Sequence, residues 1–277
     1  MTDLTVNLTT LLQAIVLGLV QGVTEFLPIS STAHLLIFTE ALHWNQVGEK
    51  YFIDGIQFGS VIAVILYFWK DLRHIGSGSW HAIQTRNWQR DEWKLMVGIG
   101  VGTIPALVGG YLLKDQLPES PVVIAWMSIV MSFLLGVAET IGRRQRQFSS
   151  LTVQDGLIVG LGQMVALIPG ASRSGATLTT ALLLGLERQT AARFSFLLGI
   201  PTLTIATLYQ ARQVFFHIDS LLPLVVGIVS TFIFSYGAIA WLLRFLQTQN
   251  TWIFIWYRLA FGIFILVSVT HGLLKSG

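Results

Sequence analysis

The sequence has no cysteine, which excludes disulfides and thiolate chemistry. Charge is scarce as well: 11% of the 277 residues are Asp, Glu, Lys or Arg, against about 25% in soluble domains. With 53% hydrophobic residues and a mean hydropathy of +0.67, the deficit points to lipid as the solvent. A net charge of +3 and a pI near 9.3 would suit a nucleic-acid binder. The basic residues sit in short loops, however, where they orient a membrane chain, so no nucleic-acid partner is expected. Met1–Thr5 holds no Lys or Arg and the first basic residue is Lys50, so no cleaved signal peptide is expected. P-loop, metalloprotease-helix and dinucleotide fingerprints are missing too.

What is present is apolar length. Six segments, near 51–69, 94–113, 121–141, 191–211, 221–245 and 252–274, have the length and composition of transmembrane helices. Two further uncharged windows, 4–39 and 156–186, run 36 and 31 residues and carry one formal charge each, Glu25 and Arg173. Each is broken midway, at Leu27-Pro28-Ile29-Ser30-Ser31 and at Ile168-Pro169-Gly170-Ala171-Ser172. Proline removes a donor and clashes with the preceding turn, so two re-entrant helical hairpins are expected, spanning 4–43 and 154–187. The hairpins resemble each other: Gly18-Leu19-Val20-Gln21 precedes Pro28, and Gly160-Leu161-Gly162-Gln163 precedes Pro169. Each is followed by three spans, an odd number, so the second unit starts on the opposite side of the membrane. The expected fold is thus an all-α integral membrane protein of six transmembrane helices and two hairpins. It forms one membrane domain, 1–277, built as an inverted-topology repeat of 1–141 and 142–277. Eleven basic residues fall on one side: Lys70, Arg73, Arg86, Arg90, Lys94, Arg143, Arg144, Arg146, Arg188, Arg193 and Arg244. Only Lys50, Lys114, Arg212 and Lys275 fall on the other. The richer side is expected to be cytoplasmic, with both termini outside.

Inside the hairpins, the polar residues are few enough to weigh one by one. Glu25 costs roughly 2.5–3.5 kcal/mol to insert, so it needs a partner or a task. Gln21 lies one helical turn before it, and the pair could hold a divalent cation, neutralise the hairpin, or orient a hydroxyl. Ser30, Ser31 and Thr32 stand at a helix start, where serine is first of all a cap, yet where free N–H groups also suit a phosphate. His34 is either a satisfied structural residue or a proton carrier beside Ser31. Arg173 is too deep to snorkel, and its guanidinium fork suits phosphate oxygens. Ser172, Ser174 and Thr177 surround it. A purely structural Arg173–Glu25 pair is the plain alternative. Arg258, a few residues inside the last span, is explained by snorkelling. The inventory suits an anionic group on a lipid tail, to be hydrolysed or, on the rival reading, transported.

Two stretches carry a resemblance. Gln21-Gly-Val-Thr-Glu25-Phe-Leu-Pro-Ile-Ser-Ser-Thr-Ala-His34 and Pro169-Gly-Ala-Ser-Arg173-Ser-Gly-Ala-Thr177 closely resemble motifs of the undecaprenyl pyrophosphate phosphatase family, the bacterial bacitracin-resistance proteins. Gln57-Phe-Gly-Ser60, Arg193-Phe-Ser-Phe-Leu-Leu-Gly-Ile-Pro201 and Tyr257-Arg258 extend the resemblance along nearly the whole chain. It implies hydrolysis of undecaprenyl diphosphate to the monophosphate at an outward-facing site of the bacterial inner membrane. That step recycles the lipid carrier for cell-wall synthesis. It further implies a divalent cation (Mg²⁺ or Ca²⁺) on Gln21 and Glu25, and a homodimer. The implied catalytic residues are Glu25, Ser31, His34 and Arg173, with Ser30, Thr32, Ser172, Ser174 and Thr177 binding phosphate. The chain departs from the family at Gln21, where many members have Glu, and at Ile53, where an acid is expected and Asp54 stands one residue on.

Overall fold

The computed structural model describes residues 8–42, 44, 47, 49–113, 116–117, 120–217 and 220–274. Lys114 and Lys275, two of the basic residues expected outside, lie beyond the described residues, as does the start of the first hairpin. Eleven α-helices are described. They are α1 (Leu8–Phe26), α2 (Ser31–Ala41), α3 (Lys50–Tyr67), α4 (Trp69–Thr85), α5 (Asp91–Leu113) and α6 (Pro121–Ile141). The remainder are α7 (Val153–Met164), α8 (Arg173–Leu183), α9 (Arg188–His217), α10 (Leu221–Thr248) and α11 (Trp252–Thr270). Seven of them are long and apolar enough to cross a membrane, which makes this a multi-pass membrane protein.

Both expected breaks are there. The first separates α1 from α2 at Leu27–Ser30; the second separates α7 from α8, after a 3₁₀ turn at Val165–Leu167. In each case the helix resumes from a serine cap held at positive φ, Ser30 at 74° and Ser172 at 69°. Such a backbone costs on the order of 1–3 kcal/mol and persists only where surroundings impose it. The six expected spans correspond to α3, α5, α6, α9, α10 and α11, and the first arm of hairpin one, the 19-residue α1, adds a seventh helix of span length.

Small residues let the hairpins dock. In lipid there is no hydrophobic drive between helices, so close backbone approach supplies the packing. α7 lies on α5 through Gly156 and Gly160 against Gly98 and Gly102; a Cβ on Gly160 would sit 2.1 Å from the Gly102 carbonyl oxygen. α1 lies on α10, where Gly18 meets Gly227 and Ser230. α6 packs on α11, and α3 lies between α9 and α10.

The end of the bundle where the basic residues gather is tied by ion pairs. Glu139, 3% exposed, accepts from Arg188, from Arg144 (2.8 Å) and from the Thr251 hydroxyl (2.7 Å), which joins the ends of α6, α9 and α11. Arg146 pairs with Asp155 (2.6 Å), and Arg193 with Asp71. Helix α4 was not anticipated from the sequence. Phe68 ends α3, and the chain turns into a 17-residue helix that exposes Trp69 and Trp80 beside Lys70 and Arg73. That mixture of aromatic and basic side chains is the pattern of a helix lying along a membrane interface.

α5 separates α4 from the turn that leads into α6. Single cysteines at the exposed positions Ser77 and Gln116 should therefore react with a membrane-impermeant maleimide from opposite faces. Labelling of both from one face would mean that α5 does not cross.

Candidate active site

The two breaks meet. Glu25, in the last turn of α1, and Arg173, the first residue of α8, form an ion pair, Nη2 to Oε1, of 2.9 Å. Side-chain exposures of 10% and 18% put this pair in the interior, where an unmatched partner would be costly. Removing one member of a buried pair typically costs about 3–5 kcal/mol. Arg173 also donates to the Gly199 carbonyl (2.9 Å), which orients the guanidinium and leaves further N–H groups of its five-donor fork for a ligand. The other oxygen of Glu25, Oε2, accepts from the Ser31 hydroxyl (2.8 Å) and from the Gln21 amide (3.1 Å). Glu25 thus holds the Arg173 guanidinium on one oxygen and the Ser31 hydroxyl on the other.

The serines divide their work. Ser30 caps α2, its Oγ accepting from the Ala33 N–H (3.4 Å), and Ser172 caps α8 in the same way through Gly175 (3.2 Å). Ser31 is therefore released from capping. It lies in the first turn of α2, partly exposed, with Thr32 exposed beside it. The first-turn N–H groups of α2 and α8 have no intrahelical acceptor and carry the positive end of the helix dipole.

Other expected site residues have different partners. The Ser174 hydroxyl reaches across to the Leu27 carbonyl (3.0 Å) and so ties the two breaks together. The Thr177 hydroxyl donates to the Arg173 carbonyl (2.9 Å) of its own helix, and the side chain is buried. Both were expected to bind phosphate; here each hydroxyl donates to a backbone carbonyl. His34 is not turned toward Ser31. Its Nδ1 lies 2.7 Å from the Ser30 carbonyl and its Nε2 2.6 Å from the Tyr257 hydroxyl, with the ring stacked on Phe261. A carbonyl only accepts, so Nδ1 carries the proton, and in the neutral ring Nε2 accepts from Tyr257.

The residue that sequence reasoning missed is Arg258. It is 1% exposed and does not snorkel. Its Nη1 donates to the Pro28 carbonyl (3.0 Å), and its Nη2 donates to those of Gly170 and Ala171 (both 3.0 Å). Gly175 makes room for it, since a Cβ there would lie 2.7 Å from Nη1. Asp54, one residue away from the expected acid position, accepts from Gln210 (3.0 Å) and joins α3 to α9 away from these breaks.

A divalent cation would find one carboxylate and one amide here. Among the described residues, no group of three or more His, Asp or Glu is placed to hold a metal ion. Gln21 and Glu25 alone would leave a cation short of ligands, the remainder coming from water or a bound anion, as is common for Mg²⁺.

Residues 14–264 match the family model described as "Bacitracin resistance protein BacA". The chain is 58% identical to the undecaprenyl-diphosphatase of Thermosynechococcus vestitus, over 96% of this chain and 98% of that protein. It is 53% identical to the protein of that name from Trichormus variabilis, over 96% and 86% of the two chains. The Synechocystis protein of the same name is 51% identical, over 95% and 83%.

The division of labour at the first break can be measured. Ser30→Ala removes the cap of α2 and should lower stability by about 1 kcal/mol in thermal unfolding of the detergent-solubilised protein. Ser31→Ala leaves the cap of α2 in place and loses only a partly exposed hydrogen bond to Glu25, so it should lower stability no more than Ser30→Ala does. A larger loss from Ser31→Ala than from Ser30→Ala would reverse the two assignments.

Proposed function

This chain belongs to the bacitracin resistance protein BacA family, and we propose that it is an undecaprenyl-diphosphatase. It hydrolyses undecaprenyl diphosphate to undecaprenyl phosphate and inorganic phosphate, which recycles the lipid carrier for peptidoglycan synthesis and underlies bacitracin resistance. The observation that carries the mechanism is the shared carboxylate: Glu25 accepts from Ser31 on one oxygen and from Arg173 on the other. A structural ion pair needs Arg173 but does not need a partly exposed serine hydroxyl on the second oxygen.

The steps follow from that geometry. Glu25 takes the Ser31 proton as Oγ attacks the terminal phosphorus in line with the bridging oxygen. The bond to the bridging oxygen breaks, undecaprenyl phosphate leaves, and the phosphoryl group stays on Ser31. Glu25 passes that proton to the departing lipid phosphate; water then attacks the phosphoserine, and Glu25 accepts a proton from the water. It returns that proton to Ser31 Oγ as the P–Oγ bond breaks, and inorganic phosphate departs. Arg173 and the first-turn N–H groups of α2 and α8 stabilise charge on the transferring group. A divalent cation held by Gln21, Glu25 and the diphosphate would offset the remaining phosphate charge. His34 positions the turn that carries Ser31.

The architecture is proposed in the same terms. Gly18 and Gly160, Gln21 and Gln163, and Ser30 and Ser172 are each 142 residues apart, which supports an inverted repeat of 1–141 and 142–277. Packing of α1 on α10 and of α7 on α5 supports it too, since each hairpin docks on a span of the other half. The end rich in Arg and Lys faces the cytoplasm, both termini face outward, and the protein resides in the bacterial inner membrane.

Four measurements test this reading. Purified protein in detergent should release inorganic phosphate from undecaprenyl diphosphate; transport alone needs two compartments and would release none. Arg173→Lys keeps the charge but loses the fork, so turnover should fall about 10²-fold, roughly 2.7 kcal/mol of transition-state stabilisation. Mass spectrometry of protein quenched during turnover should find phosphoserine at Ser31, and Ser31→Ala should still bind the lipid without releasing phosphate. A Ser31→Ala variant that turns over normally would shift the attack to a water activated by Glu25.

A further inference from the structure

Two consecutive residues of α11, Tyr257 and Arg258, reach both breaks. Arg258 grips the Pro28 carbonyl with one nitrogen and the Gly170 and Ala171 carbonyls with the other. Tyr257 bonds His34, which bonds the Ser30 carbonyl. The turn from Pro28 to Ser30, which delivers Ser31, is therefore held at two carbonyls from one helix. Pro28 and Gly170 are themselves 142 residues apart, the spacing that relates the two hairpins. The fork of Arg258 spans the equivalent point of each.

The electrostatics add a second fact. Glu25 and Arg173 cancel each other, whereas no carboxylate pairs with Arg258 among the described residues. Its Nε, buried as well, has no hydrogen-bond partner. A guanidinium taken out of water without a counterion is expensive, and carbonyl dipoles compensate it only in part. The interior between the N-termini of α2 and α8 thus carries an unbalanced positive charge. A diphosphate bound there would balance it.

We infer that Arg258, assisted by Tyr257 through His34, is a positioning residue for the phosphoryl-transfer step, fixing the distance between the turn that carries Ser31 and the turn that carries Arg173. The inference rests on the diphosphatase reading and deepens it. Arg258 touches neither reacting atom; it acts through the two carbonyls whose turns present the nucleophile and the clamp. Ser30 and Ser172, both at positive φ, are the residues such a grip must hold in place. Misplacement by about 1 Å of groups that must align in line can cost 10²-fold in rate. The clamp therefore predicts a loss in turnover that charge alone would not restore.

The test compares kcat and KM for phosphate release from undecaprenyl diphosphate in detergent, per folded molecule. The proteins are wild type, Arg258→Lys, Arg258→Met and Tyr257→Phe. Lysine keeps the charge but offers a single point and cannot grip both turns. Arg258→Lys should lower kcat at least tenfold with KM within about threefold, and Arg258→Met should lower kcat and raise KM as well. Tyr257→Phe, which removes one hydroxyl, should lower kcat about threefold or more at constant KM. A lysine variant with wild-type kcat overturns the inference, and so does a loss explained wholly by a smaller folded fraction. If neither Arg258 variant folds, Tyr257→Phe decides, and a wild-type kcat there overturns it. Wild-type protein that releases no phosphate defeats the diphosphatase reading itself, and this inference falls with it.

Discussion

A helix that stops inside an apolar layer leaves carbonyls with no donor, and each such carbonyl costs free energy on the scale of a lost hydrogen bond. Two helices stop here, side by side, and the arrangement depends on how their carbonyls are satisfied. Arg258 supplies donors to three of them, on both turns at once. Ser174 supplies another across the gap, to Leu27, and His34 another at Ser30. Once those bonds are made, the helix starts of α2 and α8 lie together. Glu25 and Arg173 are then within reach of each other. The chemistry sits where it does because the backbone there had to be repaired.

On the proposed repeat, the two hairpins share a frame but not a composition. At the 142-residue spacing Glu25 corresponds to Leu167, Ser31 to Arg173 and His34 to Ala176. One hairpin brings an acid and a hydroxyl, and the other brings a cation at the hydroxyl's own position. Like positions can do unlike work because a helix start presents the same geometry whichever side chain it carries. Two identical hairpins would bring either two acids, which repel, or two arginines without a base.

Much of this was legible in the sequence because it was written in rare residues. A lone acid and a lone arginine in otherwise uncharged windows stand out, as do the prolines that break those windows. Their meeting at 2.9 Å needed the structure, although a shared depth suggested it. Other features are set by direction, which a sequence does not state. Arg258 lies six residues after the start of α11, close enough to the surface to snorkel, and only the orientation of α11 against α6 turns it inward. His34 follows Ser31 by three residues and shares its side of the helix, yet the ring swings to Tyr257, 223 residues away in the chain. The hydroxyls of Ser174 and Thr177 are set by direction too: each donates to a backbone carbonyl. Helix α4 is only partly apolar, with Lys70, Asp71, Arg73 and His74 near its start, so its composition reads as that of a polar loop.

The place of Arg258 between equivalent carbonyls has a consequence for ancestry. A protein assembled from two separate copies of one repeat, placed head to tail across the bilayer, would have a twofold axis between its hairpins. Any side chain reaching that axis from one copy would collide with its own mate arriving from the other. On the proposed repeat, a single guanidinium reaching both hairpins is open to a fused chain, in which one half keeps the arginine and the other yields the space. Fusion of the proposed halves would then do more than join them: it would allow the centre of the molecule to become asymmetric.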